Sequence, residues 1–227
     1  MRTQQGIALV VVMVMLLLTT LVLLTSNRVG WLNEKLVGSE SDHQRAFAAA
    51  EALIRDAELD ISGRQFDGSP CPANPATQFG CRNLNAPHFP QEEDDLDTLA
   101  AFVAAGVNKC LQGICLPDRP KELESAGAWS QQLAAMQSVG ASYGQFTGAR
   151  PEAAGNPLLT AGAAWYWVEV LRYSKTFSSA GAAFSTPVPV DQHPFVYRIT
   201  AHVQGTKPGT QVRLRSTFVP YLARDFE

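Results

Sequence analysis

The chain has 227 residues, of which 46% are hydrophobic and 17% are charged, and its formal net charge is −3. This low, slightly acidic charge argues against a nucleic-acid-binding protein, which would carry a basic surface. Residues 25–227 alone are enough for one domain with a hydrophobic core.

The first 24 residues combine a polar leader with an apolar segment. Residues 1–6 contain Arg2 and end in Gly6, and residues 7–24 carry no charge. The apolar segment would extend roughly 27 Å as a helix, close to the ~30 Å core of a bilayer. A secretory signal peptide is cleaved after its apolar segment, whereas Gly6 precedes this one. We therefore predict a transmembrane helix that stays in the mature chain, with an ordinary signal anchor as the alternative.

The helical pattern continues beyond residue 24 but becomes one-sided. Residues 25–60 are predicted to extend the first segment as an amphipathic helix, because apolar side chains recur at intervals of three and four. The predicted packing face consists of Phe47, Ala50, Ile54 and Ala57.

All four cysteines follow the apolar segment, which fits a disulfide framework in an oxidising compartment. They are Cys71, Cys81, Cys110 and Cys115. Three pairings are possible, and proximity in sequence favours Cys71 with Cys81 and Cys110 with Cys115. A zinc site is the alternative, but neither spacing is CxxC and the histidines are distant in sequence.

The middle of the chain mixes loops with two short helices. Residues 63–90 are rich in Pro, Gly and Asn and predict an ordered loop. The acidic run at 92–97 indicates a solvent-exposed face or the N-terminus of a helix. A calcium site is the alternative. Helices are predicted over residues 96–108, with Asp95 as the N-cap, and over 126–139, whereas 140–163 predicts a loop.

The C-terminal third predicts an antiparallel sheet. Residues 164–173 are rich in aromatic and β-branched side chains, and apolar and polar residues alternate on both sides of a turn at 205–209. One face of this hairpin is expected to be buried and the other polar and basic. The basic residues of this part are Arg198, Lys207, Arg213, Arg215 and Arg224.

No catalytic or phosphate-binding motif is present in the sequence. The four histidines are scattered, at positions His43, His88, His193 and His202. The sequence therefore predicts a protein that is not an enzyme, without a cofactor, a metal, a nucleic acid or a small-molecule ligand.

Two stretches of the chain resemble the PilX-type minor pilins of type IV pili. Residues 45–58 are similar to the family's AF-x-AAEA-x-LR-x-AE segment, and residues 197–201 with 212–217 are similar to its final hairpin. Three residues that the resemblance leads us to expect precede the first segment, namely Glu34, Gly38 and Asp42. Residues 63–163 match no family segment, as expected of a variable region.

The resemblance implies a pilin-like α+β fold. A long N-terminal helix, transmembrane in its first half, packs on a C-terminal antiparallel sheet within residues 164–220. The variable region at 63–163 is expected to be rich in loops, with short helices and disulfides.

The resemblance also implies how the N-terminus is processed. A prepilin peptidase would cleave after Gly6, and the new amine of Ile7 would be methylated. Major pilins carry glutamate at the fifth mature position, where this chain has Val11. A carboxylate in lipid is costly unless it is paired, so a subunit that meets no partner amine is better without it. The resemblance thus favours a tip or initiating position.

The implied function is that of a minor pilin in type IV pilus assembly, in a priming or tip complex with other minor pilins and the pilus adhesin. Further implied partners are the major pilin, the prepilin peptidase and the inner-membrane assembly platform. The implied location is the inner membrane, with a cytoplasmic N-terminus and a periplasmic domain at 61–227, and later the pilus. A minor pseudopilin of type II secretion stays open as an alternative. So does a membrane-anchored periplasmic binding or hydrolytic domain that enters no filament.

Overall fold

The computed structural model describes residues 5–73, 75, 79–117, 126–160, 162–173 and 189–220, and Arg224 and leader residues 1–4 lie outside these ranges. The helices are α1 (Gln5–Ile61), α2 (Asp95–Val103), α3 (Ala126–Gln137) and α4 (Pro157–Thr160). The strands are β1 (Cys110–Leu111), β2 (Ile114–Cys115), β3 (Ala164–Arg172), β4 (Phe195–Gln204) and β5 (Gln211–Phe218). The fold is therefore α+β, with one long N-terminal helix and a C-terminal sheet.

The sheet has the order β1-β2-β3-β4-β5. Its β3, β4 and β5 strands are antiparallel neighbours, as the sequence predicted. The prediction of a purely antiparallel sheet is wrong at one point, because β2 pairs with β3 in parallel. β1 and β2 have two residues each, which is too short for an alternating pattern to reveal them.

α1 covers one face of the sheet and forms the main core with it. Small and apolar side chains of the helix are buried against alternate residues of β3 and β4. The predicted packing face needs one correction. Ala50 and Ala57 are fully buried and Ile54 packs on the core half-buried, but Phe47 is 42% exposed. The buried face instead contains Ala46, Ala49 and Leu53. Their side chains are smaller than that of Phe47, so the helix can lie close to the sheet.

α3 covers part of the opposite face. Trp129 packs edge-on against Trp167 of β3, with ring centroids 5.2 Å apart. The indole nitrogen of Trp167 donates to the carbonyl oxygen of Met136, 2.9 Å away. The prediction that this face of the hairpin is exposed is therefore wrong for β4, where Thr200 and His202 are buried. The pattern showed which residues alternate, but it could not show that α3 lies over them.

α2 is shorter than predicted. It ends at Val103, and residues 107–109 form a separate 3₁₀ turn in which Asn108 has a φ of 52°. Its N-cap is Asp94, and the carboxylate of Asp95 instead accepts hydrogen bonds from the backbone N–H groups of Gln91 and Glu92. Gly106 is extended, with a φ of −75° and a ψ of 159°, and therefore separates α2 from this 3₁₀ turn.

Among the described residues, no helix has both the length and the apolar character needed to cross a membrane. The membrane-spanning assignment of residues 7–24 and the division of the chain into leader, anchor and domain stay predictions.

Candidate functional site: an exposed apolar helix held by three aspartates

The N-terminal part of α1 exposes a continuous apolar surface. Every residue from Leu9 to Leu24 is exposed, and the large apolar side chains are exposed by 49% at Val11 to 70% at Leu9. Surfaces of this size and character are usually buried against lipid or another protein. We call residues 9–24 the apolar surface of α1.

Two threonines are the polar side chains of this surface, and both satisfy their hydroxyls within the helix. Thr19 donates to the carbonyl oxygen of Leu16 at 3.0 Å, and Thr20 donates to that of Leu17 at 2.9 Å. Because these hydroxyls need no outside partner, the apolar surface of α1 can enter an apolar environment without leaving them unpaired.

The positions predicted for processing lie at the start of α1. Gly6 and Ile7 belong to the helix, which begins at Gln5, whereas leader residues 1–4 lie outside the described residues. Val11 lies within the apolar surface. Cleavage after Gly6 and methylation of Ile7 stay predictions.

The C-terminal part of α1 is attached to the domain first at Asp42. This carboxylate is buried and accepts hydrogen bonds from the backbone N–H and the hydroxyl of Thr206, at 2.9 and 2.6 Å, and from the backbone N–H of Lys207 at 3.0 Å. The Thr206 hydroxyl, together with these backbone N–H groups, holds the pKa of Asp42 well below its usual range although burial opposes this. Asp42 thereby fixes the turn between β4 and β5 on the helix.

Gly38 lies four residues before Asp42 in α1 and leaves room for the same turn between β4 and β5. The ammonium group of Lys207 lies where the Cβ of a larger residue at position 38 would stand. The missing side chain therefore lets Lys207 cross the helix at this point.

The second attachment is Asp56, whose side chain is buried. It accepts a hydrogen bond from the backbone N–H of Gly144 at 2.9 Å and another from the hydroxyl of Thr147. Burial raises the pKa of Asp56 to about 6, with a further contribution from Asp60, and the two hydrogen bonds oppose this rise. Asp56 joins the helix to the loop that follows α3.

The third attachment is Asp60. Arg82 donates to both of its carboxylate oxygens, from Nε at 2.8 Å and from Nη2 at 2.6 Å, and the hydroxyl of Tyr166 donates to it at 2.9 Å. All three side chains are buried. Burial, followed by the charge of Asp60, raises the pKa of Tyr166 well above its usual value, so the phenol stays protonated and can donate. This network joins α1 to β3.

Arg82 extends the network into the loops. It donates to the carbonyl oxygens of Pro87 and Gln112, both at 3.1 Å, and its guanidinium lies 3.7 Å from the ring centre of Phe146. One buried arginine therefore connects α1, the loop before α2 and the turn between β1 and β2.

The two disulfides brace the same loops. Cys71 is bonded to Cys81, the residue before Arg82, and Cys110 is bonded to Cys115 across β1 and β2. This is the pairing that proximity in sequence favoured.

The sequence analysis named Asp42 as a family position, but it did not predict that Asp42, Asp56 and Asp60 are buried. Starting from Ala46, Ala49 and Leu53, steps of three and four residues reach Asp42, Asp56 and Asp60. The aspartates thus share the buried face of α1 with the apolar residues. Charged residues in an amphipathic helix usually face solvent, and these three do not.

The four histidines differ in their surroundings. His43 and His88 are exposed, and His193 is partly buried. His202 is buried beside Trp129, and burial and the charge of Arg213 lower its pKa to about 4. Among the described residues, no group of three or more His, Cys, Asp or Glu side chains could hold a metal ion. The hydrogen bonds of Asp42, Asp56 and Asp60 to the domain support an attachment role for α1.

Comparison with known families agrees with this architecture. The PilX N-terminal family model matches residues 5–55, which lie within α1. The model for the C-terminal part of the type IV pilus assembly protein PilX matches residues 94–220, more than half of the chain. The expectation that residues 63–163 match no family segment is therefore wrong for residues 94–163. No curated protein and no solved structure matches the chain. The chain therefore belongs to the PilX family of type IV pilus assembly proteins, which are minor pilins.

Proposed function

We propose that the chain enters a priming or tip complex of the type IV pilus together with other minor pilins and the pilus adhesin. Membership of the PilX family supports a role in pilus assembly. The observation that carries the proposal is that the apolar surface of α1 is continuous, in one helix, with the segment held by Asp42, Asp56 and Asp60. A helix fixed to its domain in this way positions the domain wherever the apolar surface is bound.

The apolar surface serves two environments in turn. Residues 7–24 first anchor the chain in the inner membrane, with the N-terminus in the cytoplasm and the domain in the periplasm. During assembly the same residues leave the lipid and pack against helices of the major pilin and other minor pilins on the assembly platform. Both environments are apolar, so the transfer exposes little of this surface to water.

Processing prepares the helix for assembly. A prepilin peptidase cleaves after Gly6, and Ile7 becomes the methylated N-terminus. Val11 replaces the glutamate that would neutralise the N-terminal amine of a neighbouring subunit. We propose that this subunit therefore occupies a position at which it receives no such amine, at the tip or at initiation.

The proposal is tested by blocking processing. Gly6→Val is expected to leave the leader attached, to keep the chain in the membrane fraction and to remove it from sheared pili. Thr3→Ala, also in the leader, is the matched control and should be processed normally. Mass spectrometry of wild-type pili should find a chain that begins with methylated Ile7. Uncleaved wild-type protein in pili, or normal pilus assembly with the Gly6 variant, would contradict the proposal.

A further inference from the structure

β5 lies at the edge of the sheet and, among the described strands, pairs with β4 alone. The N–H of Gly205 donates to the carbonyl oxygen of Thr210 at 2.9 Å, and this bond sets the alternation of the ladder. The even-numbered residues of β5 therefore bond to β4, whereas the odd-numbered ones direct their backbone N–H and C=O groups away from it. These odd-numbered residues are Gln211, Arg213, Arg215 and Thr217. We call their row of outward backbone groups the outer edge of β5, which has the geometry to pair with another strand.

The apolar layer between α1 and the sheet is incompletely covered beside this edge. Leu214 and Phe218 of β5 and Ile54 of α1 pack on the core but are only partly buried. Phe47, which is 42% exposed, lies two helical turns before Ile54 and on the same flank of α1. Arg45 lies about 200° away from Phe47 around the helix, on the flank beside α4, which leads into β3. Because β3 and β5 lie on opposite sides of β4, the flank with Phe47 faces β5.

The charges of β5 oppose pairing with a second copy of the chain. Arg213 and Arg215 are exposed on the face of β5 that points away from α1, and the guanidinium of Arg213 lies 5.2 Å from the ring centre of Trp129. If the β5 strands of two copies paired antiparallel in full overlap, Arg213 of each copy would lie opposite Arg215 of the other. Like charges placed directly opposite each other destabilise a sheet. Carboxylates at the facing positions would instead be attracted.

We propose that the outer edge of β5 accepts a strand of a different protein, in which acidic and apolar side chains alternate. The backbone of this strand bonds to the outer edge and provides affinity, while its alternating side chains provide specificity. Its carboxylates lie beside Arg213 and Arg215, and its apolar side chains cover Leu214 and the exposed side of Phe47. The contact uses the sheet and not the apolar surface of α1, so it goes beyond the contacts that α1 makes in assembly.

Fluorescence anisotropy of a labelled peptide tests the proposal, with the full chain in detergent micelles and empty micelles as the blank. The probe is the peptide TVEVEVT with blocked ends, whose sequence is the same in both directions, and its control is TVKVKVT. The wild-type chain is expected to bind the glutamate peptide at least about tenfold more tightly than the lysine peptide. Arg215→Glu should reduce this preference at least about tenfold, because it places like charges opposite each other.

A proline at position 215 tests the backbone pairing separately from the charge. The N–H of Arg215 points away from β4, so Arg215→Pro keeps the bonds between β4 and β5 and removes one donor from the outer edge. Arg215→Ala is the matched control, because it removes the same charge and keeps the N–H. The proline variant should bind the glutamate peptide at least about tenfold more weakly than the alanine variant.

Four outcomes would overturn the proposal. The first is a wild-type chain that binds neither peptide or binds both equally, and the second is an unchanged preference in Arg215→Glu. The third is equal binding by the proline and alanine variants. The fourth is dimerisation of the wild-type chain that Arg215→Pro abolishes, since this would assign the outer edge to a second copy. None of these measurements depends on whether the chain enters a pilus.

Discussion

The two halves of α1 are one continuous helix with opposite surroundings. Residues 9–24 bury almost nothing within the chain, whereas the half from Asp42 to Ile61 buries one face against the sheet. The first half is apolar all round, and the second carries apolar and acidic residues on its buried side. The position of the second half is therefore specified by its own domain, whereas the described part of the chain provides no packing surface for the first half.

The buried aspartates explain why this division is sharp. A buried carboxylate is tolerated only where donors reach it, and Asp42, Asp56 and Asp60 each receive at least two hydrogen bonds from the domain. These bonds also fix the register of the helix on the sheet, because a shift by one residue would turn the carboxylates away from their donors. The apolar surface of α1 is exposed along its whole length and carries no buried carboxylate that would fix a register.

The largest effect on domain stability is expected from Asp60→Ala. This change leaves Arg82 buried without its carboxylate and Tyr166 without its acceptor. Breaking a buried pair from one side typically costs about 3–5 kcal/mol. Denaturant unfolding of the full chain in micelles should show this loss in the free energy of unfolding.

The exposed pair of Arg172 and Glu93 is the control for that measurement. Both side chains are largely exposed, and exposed pairs contribute about 0–1 kcal/mol. Arg172→Ala should therefore change the unfolding free energy little. If Asp60→Ala cost no more than Arg172→Ala, the attachment through Asp60 would not hold the helix to the domain.

A pair of leucines compares the two halves of α1 directly. Leu53 is fully buried in the core, and Leu53→Ala should cost about 2–5 kcal/mol of domain stability. Leu18 belongs to the apolar surface, so Leu18→Ala should leave unfolding of the domain unchanged within about 0.5 kcal/mol. The same denaturant titration measures both. Equal losses would show that the first half of α1 also packs on the domain.

The free energy of unfolding should also depend on pH, and two buried groups, Asp56 and His202, should shift it in opposite directions. The pKa of Asp56 is raised from 3.8 to about 6, so the folded state binds its proton more tightly and the free energy of unfolding falls as pH rises across this range. The pKa of His202 is lowered from 6.5 to about 4, so its contribution rises with pH. Wild-type stability should therefore change little between pH 4 and 6.5.

Single variants should reveal the two opposing slopes. Asp56→Asn should leave the histidine contribution, so that stability increases from pH 4 to pH 7 by on the order of 1–3 kcal/mol. His202→Phe should leave the aspartate contribution, and stability should decrease over the same interval. Thermal unfolding at several pH values measures the slopes independently of any constant effect of the substitution. Parallel slopes in the two variants would contradict the assignment.

The sequence allowed the general architecture to be predicted, because it rests on periodicity. The long helix, α3, and the strands β3 to β5 all carry patterns that span ten or so residues. β1 and β2 could not be predicted, since two-residue strands have no pattern and are defined by the 110–115 disulfide and the pairing with β3. The burial of His202 likewise depends on Trp129 of α3, which is distant in sequence.

The attachment site was less predictable than the fold. A carboxylate on a helix is solvent-facing far more often than buried, so sequence alone gives little reason to place Asp56 and Asp60 inside. Their donors are Gly144, Thr147, Arg82 and Tyr166, and no local pattern brings these residues together. Phe47 was assigned to the packing face because its spacing from Ala50 and Ile54 fits the helical pattern, but it is 42% exposed, and the smaller side chains of Ala46 and Ala49 are buried there.

The smallest effect on the domain, and the most informative about function, is expected from Val11→Glu. Val11 lies in the apolar surface of α1, remote in sequence from the attached half, so the unfolding free energy of the domain should stay within about 0.5 kcal/mol of wild type. In the membrane location proposed above, the new carboxylate would have no partner, and an unpaired charge in lipid is costly. If the subunit meets no neighbouring amine, fewer pili should be primed. Pilus counts by electron microscopy measure this, with Val12→Leu as an apolar control. A Val11→Glu chain that primed pili as well as wild type would mean that position 11 can meet an amine, and the tip assignment would lose its support.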